Sequence, residues 1–366
     1  MDNIKNITIT EENTKTYDIV FDTDFTPLPD MVKELAPKAD KILIVSDSNV
    51  AKIYLDEVKA LFDLKVYTFV FNAGEANKNE ETLKEIINAL YEAKFSRSDV
   101  ILSLGGGVVS DMTGFAASIY MRGIKHVICP TTLLSMADAS VGAKTAIDYN
   151  GKKNLIGAFY NPSLIYMNLS TLKSLPSREY YAGFAEIMKA GLIKDDKYYM
   201  WLIDNMYEIC EKDPETVAKM LYTAINIKKA VVEKDLYETT GERMLLNLGH
   251  TIGHGIESVL NDEYIHGECV SLGCVAAAYI SSKLNYIDSD VYYEIRDMFV
   301  PFYLPISIET DKIDEIINAV YYDKKNALGK IRMVLLNRIG DAFVYDDVSE
   351  ELVREALDEL NFKEEG

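Results

Sequence analysis

The sequence predicts an α/β domain built on a doubly wound parallel sheet, followed by an all-α domain. Up to about residue 170, short β-branched runs alternate with helical stretches, and turn residues bound each run. From residue 177 onward the periodic segments have helical spacing, with few strand candidates until the C-terminal region. A length of 366 residues suits two domains. An apolar fraction of 48% with 26% charged residues is the globular average and excludes a disordered or fibrous chain.

The runs 41–46, 65–71 and 99–104 are continuous apolar segments of the kind buried on both faces of a parallel sheet. Between the second and third, residues 79–94 place Leu83, Ile86, Ile87 and Leu90 at helical spacing, which makes a βαβ unit. Runs at 126–129 and 164–167 extend the sheet. In the second half, 178–193, 213–234, 249–260, 269–284 and 313–323 read as helices. The boundary falls at Leu175-Pro176-Ser177, where the proline disfavours helix in the residue before it and the serine can cap the helix that follows. The expected domains are therefore 1–175 and 176–366. Internal repeats and low-complexity segments are absent, and the acidic end 363–366 reads as a solvated tail.

Net charge is −20, from 38 Lys and Arg against 58 Asp and Glu, which repels nucleic acid and anionic lipid. The longest nearly uncharged stretch, 269–280, is 12 residues, short of the ~20 that span a bilayer. The polar start 1–5 lacks the regions of a signal peptide, so a cytoplasmic protein without nucleic-acid or membrane partners is expected. The four cysteines, Cys129, Cys210, Cys269 and Cys274, are too irregular for a disulfide frame. Cys269 and Cys274 lie close to His266 in sequence, but a buried pair of small apolar residues explains them better than a metal role.

Gly105-Gly106-Gly107 joins an expected strand to an expected helix with Asp111 one turn in. Such a junction either cradles a phosphate on backbone N–H groups or forms a tight turn needing positive φ; it is not a GxGxxG fingerprint. The loop 72–78 adds Gly74, Glu75 and Lys78, suited to a nucleotide or simply to a solvated helix entry. Lys144, Lys152 and Lys153, among small hydroxylated residues that begin at Thr131 and Thr132, form the local positive cluster that an anionic substrate would need. Three of the four histidines lie within 17 positions: His250 and His254 share a helical face at i, i+4, and His266 follows. Convergence of this kind suits a divalent metal with three protein ligands, although the motif lacks the glutamate of HExxH. Glu186, in a mostly apolar helix, is costly unless paired or metal-bound, and Lys189 three residues on offers a plain surface pair instead. Spacing does not choose between the two. Arg243, Asn247, Lys228, Lys229 and the trio Asp323-Lys324-Lys325 are further polar groups in apolar contexts that could face a cleft between the domains.

Gly105-Gly106-Gly107-Val108-Val109-Ser110-Asp111, Tyr120-Met121-Arg122-Gly123-Ile124, Pro130-Thr131-Thr132, Ser140-Val141-Gly142-Ala143-Lys144-Thr145, Lys153-Asn154-Leu155-Ile156-Gly157, Asn247-Leu248-Gly249-His250-Thr251-Ile252-Gly253-His254 and His266-Gly267-Glu268 together resemble the 3-dehydroquinate synthases of the shikimate pathway. The motifs stand in that family's order, and the resemblance runs from about residue 47 to 325. It implies a Rossmann-like NAD-binding N-terminal domain and a metal-binding C-terminal domain. Between them a cleft would hold a phosphorylated sugar acid, 3-deoxy-D-arabino-heptulosonate 7-phosphate. By the resemblance Glu186, His250 and His266 ligate zinc or cobalt. Asp47, Glu75, Lys78, Gly106, Gly107, Asp111, Thr131, Thr132, Lys153 and Leu172 line the NAD site. Asp138, Lys144, Asn154, Lys189, Lys229, Arg243, Asn247, His254 and Lys324 surround the substrate, and Arg122 reaches it from the other subunit of a homodimer.

The implied reaction is a transient oxidation by NAD, phosphate elimination, re-reduction, ring opening and an intramolecular aldol, with no net redox change. Lys144, Asn154, His254 and Lys324 would hold the phosphate, and Arg243 the carboxylate, whose geometry its planar fork matches. Ser110, Ala143, Ala146 and Leu248 depart from that family's usual residues, three of them from glycine, and slight repacking is expected. A related cyclase such as 2-deoxy-scyllo-inosose synthase is the competing reading, with Arg243 the sharpest discriminator because only a carboxylate gives it a partner. A metal-dependent alcohol dehydrogenase would instead accumulate NADH. A non-catalytic protein would leave the clustered histidines idle.

Overall fold

The computed structural model describes residues 6–11, 14–236, 241–260, 263–323 and 330–361. The chain forms two compact units: Met1–Leu175 with Val217–Lys229, and Pro176–Thr216 with Ala230–Gly366. Thus the segment 217–229, expected with the second half, belongs to the first unit.

In the first unit, strands β1 (Ile7–Glu11), β2 (Thr14–Asp22), β3 (Lys41–Asp47), β4 (Lys65–Phe71), β5 (Val100–Gly105), β6 (Lys125–Pro130) and β9 (Leu164–Asn168) form one sheet in the order β1-β2-β9-β6-β5-β3-β4. All pairs are parallel except β1 with β2. The continuous apolar runs are explained by burial on both faces. Ile42, Ile44, Val100 and Leu102 pack on one side with Leu28 and Val32 of α1 (Leu28–Leu35) and Val58 of α2 (Asp56–Leu61). Leu43, Val45 and Ile101 pack on the other with Ile86 and Leu90 of α3 (Glu80–Glu92) and Val109 and Met112 of α4 (Gly107–Ile119). Because β4 lies on one side of β3 and β5 on the other, the chain reverses direction across the sheet between β3 and β5. Ligands of doubly wound sheets bind outside the strand C-termini at such a reversal.

The stretch carrying the lysine cluster folds as an antiparallel hairpin, β7 (Lys144–Tyr149) with β8 (Lys152–Phe159). Asn150 and Gly151, both at positive φ, make its two-residue turn.

The second unit is helical: α5 (Ser177–Lys194), α6 (Asp196–Asp204), α7 (Met206–Cys210), the ends of α8 (Pro214–Val232), α9 (His250–Val259), α10 (His266–Lys283), α11 (Ser289–Asp297), α12 (Ile313–Asp323) and α13 (Glu350–Leu360). It also carries a hairpin, β10 (Lys330–Arg338) with β11 (Asp341–Ser349), which an all-α reading omits. Ile331, Met333, Val334, Leu335 and Leu336 are all buried, so this strand lacks the alternation that would mark it. The first turn of α5 also differs from expectation: Pro176 occupies the N-cap position without a side-chain hydrogen bond, and Ser177 is already helical.

Of the four departures from the family's usual residues, only Ala143 meets backbone strain. It lies buried at φ +63, in the left-handed region where a Cβ is crowded. Ser110 satisfies its hydroxyl by donating to Gly107 O at 3.0 Å. Replacing Ala143 by glycine removes the crowding but adds freedom to the unfolded chain, for a net stabilisation of about 0.5 kcal/mol. Thermal melting of Ala143→Gly should show a small rise in Tm; a fall means that contacts of the methyl outweigh the strain.

Candidate active site

Within the second unit, α5 is buried along nearly its whole length and carries two charges inward: Glu186 is 4% exposed and Lys189 2%. Their side chains are in contact, so the pair is buried and not at the surface. Such a carboxylate is costly unless several cations or donors meet it. Two histidines do. His250, at the start of α9, places Nε2 3.4 Å from Glu186 Oε1, and His266, at the start of α10, places Nε2 3.6 Å from the same oxygen. The other ring nitrogens face acceptors: His250 Nδ1 lies 3.2 Å from Leu248 O and His266 Nδ1 3.3 Å from Glu257 Oε2. An Nδ1–H donated to those acceptors turns each Nε2 toward the carboxylate, where a neutral ring presents its lone pair. Neither Glu186 oxygen accepts a hydrogen bond of good geometry.

Burial opposes ionisation of Glu186, but Lys189 first and then the two rings hold its carboxyl well below the usual range. Burial and the Lys189 charge push His250 down to about 3. Burial also opposes charge on His266, yet Glu186 and Glu257 together raise it to about 10. One protonated ring therefore sits between two carboxylates, where a divalent ion can replace the proton. One ligand atom from each of Glu186, His250 and His266 lies within 4.8 Å of the others, and the nitrogen and oxygen donors suit zinc or cobalt. His254, Glu257 and His266 meet the same distance test, but His254 is exposed. Its ring centroid is 5.1 Å from that of His250, as the i, i+4 spacing requires.

Gly249 allows this convergence. Its φ is +80, and a Cβ there would approach Val270 O and the Cys274 backbone N within 2.8 Å, so α9 starts directly against α10. Glu257, 6% exposed, was not singled out in the sequence, although it lies seven residues from His250 on the same helical face. Arg243 is buried; its backbone N–H donates to Asp235 Oδ2 at 3.1 Å and its NH1 to Leu236 O at 2.5 Å. A guanidinium is a planar fork of five donors, the geometry that matches a carboxylate. Asn247 is exposed. Lys324 lies outside the described residues.

In the first unit, most of the expected dinucleotide residues gather at the C-terminal ends of the parallel strands. Asp47 ends β3 and accepts from Asn49 and Val50 N–H; Glu75 and Lys78 follow β4. Gly106 and Gly107 join β5 to α4, and Thr131 and Thr132 follow β6, with Thr131 N donating to Gly105 O at 2.9 Å. A Cβ on Gly106 would lie 3.1 Å from Thr132 Cγ2 and one on Gly107 3.3 Å from Ala139 Cβ. The bare backbone at the N-terminus of α4 is the cradle that a pyrophosphate needs.

Lys78 is buried and donates to Asp111 Oδ2 at 2.5 Å and to Asn154 Oδ1 at 2.6 Å. Burial opposes its charge, but Asp111 and Glu75 raise its pKa. Burial likewise pushes Asp111 up to about 6 against the Lys78 ammonium, with Glu75 and Asp148 adding to the rise. Both partners rise because the acidic groups outnumber the single ammonium. Asp138 is not solitary either: Lys228 Nζ donates to its Oδ1 at 2.6 Å and to its backbone carbonyl at 2.5 Å. Lys228, singled out in the sequence only as a polar group in an apolar context, is thus the partner of Asp138, and Lys229 beside it is half-buried. Lys144, Lys153 and Arg122 are exposed, whereas Leu172 is a core residue.

Residues 68–182 match the family model of the 3-dehydroquinate synthase N-terminal domain, and residues 183–326 that of its C-terminal domain. A curated 3-dehydroquinate synthase from Acetivibrio thermocellus is 40% identical over 350 residues, covering 94% of this chain and 97% of the relative. Among solved structures, a 2-epi-5-epi-valiolone synthase from Streptomyces hygroscopicus with NAD+ and Zn2+ bound has a TM-score of 0.86 at 27% identity, covering 97% of this chain and 98% of that one. A 2-deoxy-scyllo-inosose synthase complexed with carbaglucose-6-phosphate, NAD+ and Co2+ reaches a TM-score of 0.89 at 23% identity, covering 97% of this chain and all of that one, a likeness of fold. The two domain matches run without a gap from residue 68 to 326, and with the near full-length curated relative they show that the chain belongs to the 3-dehydroquinate synthase family.

Proposed function

We propose that the chain converts 3-deoxy-D-arabino-heptulosonate 7-phosphate to 3-dehydroquinate and phosphate, using NAD and a divalent metal. The observation that carries this reading is the 40% identity to a curated 3-dehydroquinate synthase over nearly the whole chain. The buried convergence of Glu186, His250 and His266 supports the metal requirement, and the glycine cradle before α4 supports the dinucleotide. When bound, the ion supplies Lewis acidity to substrate hydroxyls and the dinucleotide a reversible hydride acceptor.

The chain's own residues hold and orient these groups. Glu186, His250 and His266 ligate zinc or cobalt, with Leu248 O and Glu257 fixing the rings. Asp47, Glu75, Lys78, Gly106, Gly107, Asp111, Thr131, Thr132, Lys153 and Leu172 serve the dinucleotide. The substrate's phosphate is met by Lys144, Asn154, His254 and Lys324, and its carboxylate by Arg243. Asp138, Lys189, Lys229 and Asn247 orient the hydroxylated carbons. Lys189 is suited to this because its ammonium is already desolvated and donates without reorganisation.

A homodimer is part of the reading. Met121 and Arg122, both at positive φ, form an exposed turn next to exposed Ile119, an arrangement suited to packing on a second copy. Sedimentation should give a species near twice the 41.2 kDa chain mass; a single species at the chain mass contradicts it. No helix among the described residues is long and apolar enough to cross a membrane, in keeping with an enzyme of the cytoplasm.

Loss of His250 or His266 to alanine should lower tightly bound zinc from about one equivalent to below about a tenth, with far-UV circular dichroism unchanged. Full retention of metal in both variants contradicts the ligand set. Truncating Arg243 removes a charge-assisted pair of roughly 3 kcal/mol, so kcat/KM on the heptulosonate phosphate should fall about a hundredfold or more. An Arg243→Ala enzyme with intact kcat/KM on that substrate favours a cyclase whose substrate has no carboxylate.

A further inference from the structure

The ladder of the β7–β8 hairpin is interrupted beside Asn154. Ile147 pairs with Ile156 and Tyr149 with Lys152, so Asp148 alone faces residues 153–155. Bulges of this kind re-aim a side chain and bend the strand that carries it. Asn154 sits within the bulge at φ +53, a conformation that β-strand pairing does not maintain. What maintains it is a ring of hydrogen bonds. Asn154 N–H donates to Asp148 Oδ1 at 2.8 Å. Asp148 N–H donates to Lys78 O, also at 2.8 Å, and Lys78 Nζ returns to Asn154 Oδ1 at 2.6 Å. The same ammonium is anchored by Asp111 Oδ2 at 2.5 Å.

An ammonium only donates, so the atom of the Asn154 amide that faces Lys78 is its oxygen. The Nδ2 group, with two protons, is thereby the other end of the amide, on an exposed residue. A phosphate accepts hydrogen bonds and repels a carbonyl oxygen, so the wrong amide orientation would forfeit the contact.

We propose that Asp148 is a positioning residue for phosphate recognition: it pins the bulge so that Lys78 fixes the Asn154 amide with Nδ2 outward, toward the substrate's phosphate. This rests on the functional reading above for the identity of the anion. Asp148 acts through Asn154 and does not touch substrate. Its acceptor oxygen is what matters, since its charge opposes a nearby anion. Lys78 bonds Asp111 of the dinucleotide set and Asn154 of the phosphate set at once, so the ring also ties the two sets together.

The test uses full-length enzyme loaded with zinc and NAD, comparing wild type, Asp148→Ala and Asp148→Asn. Binding of inorganic phosphate is measured by calorimetry alongside turnover of the heptulosonate phosphate. Losing one pinned donor should raise both the phosphate Kd and the substrate KM of Asp148→Ala about tenfold, with kcat changed less than about threefold and NAD affinity less than about twofold. Asparagine keeps an oxygen acceptor and drops the charge, so Asp148→Asn should stay within about threefold of wild type in phosphate Kd and KM. If Asp148→Ala does not fold, Asp148→Glu, which keeps the charge but shifts the acceptor by one methylene, should weaken phosphate binding in its place. Phosphate affinity equal to wild type in the Ala or Glu variant, or an Asn variant as weak as they are, overturns the inference while the functional reading stands. A wild-type enzyme that releases no phosphate from the heptulosonate overturns the reading itself.

Discussion

Burying the carboxylate of Glu186 in an apolar helix is the constraint around which the second unit is arranged. An isolated ionised carboxylate there would be several kcal/mol unfavourable, so the fold surrounds it with positive or proton-bearing groups. Lys189 comes from the same helix, three residues on, while His250 and His266 come from the first residues of two other helices. Those helix starts meet only because Gly249 admits the α10 backbone at van der Waals distance. Behind the rings, Leu248 O and Glu257 set which nitrogen faces inward. What results is a cation-demanding site whose side chains are held on helices, with the orienting acceptors built into the same elements.

The first unit solves a different problem by different means. Backbone at a helix N-terminus suits phosphate groups, and here glycines and small hydroxylated side chains stand at strand ends where the chain reverses between β3 and β5. Charge is used sparingly there. A single buried ammonium, Lys78, is shared between Asp111 and Asn154, and burial first, with the acids nearby, pushes Asp111 up to about 6. With a net charge of −20 on the whole chain, any attraction for an anion has to be local.

Much of this was legible in the residues. The parallel strands declared themselves because both faces are buried, which makes each a continuous apolar run, and the clustered histidines stood out through their scarcity. The β7–β8 hairpin did not, although Asn150-Gly151 is a strong hairpin signal. β7 is buried over three consecutive residues, β8 is exposed along nearly its whole length and a bulge interrupts the pairing, so no alternation flagged them. Glu257 was passed over because a helical carboxylate is normally solvated; only burial beside His266 separates it from the rest. For the same reason spacing left Glu186 and Lys189 undecided between a surface pair and a buried one. Ser177 looked like a cap because serine favours that position, but Pro176 is already extended at ψ 144 and takes the role one residue earlier. The choice of His250 and His266 over His254 comes from family resemblance alone; in the structure His254 is the exposed one of the three.

In the proposed reaction oxidation is transient, in service of eliminating phosphate and closing a carbocycle. The most direct measurement is a single reaction of the metal-loaded enzyme with the heptulosonate phosphate and a trace of NAD, following phosphate, carbocyclic product by NMR and NADH absorbance together. The account predicts phosphate and 3-dehydroquinate in equal amounts, many turnovers per NAD and no net NADH. NADH accumulating in step with consumed substrate, with phosphate still attached, would contradict it.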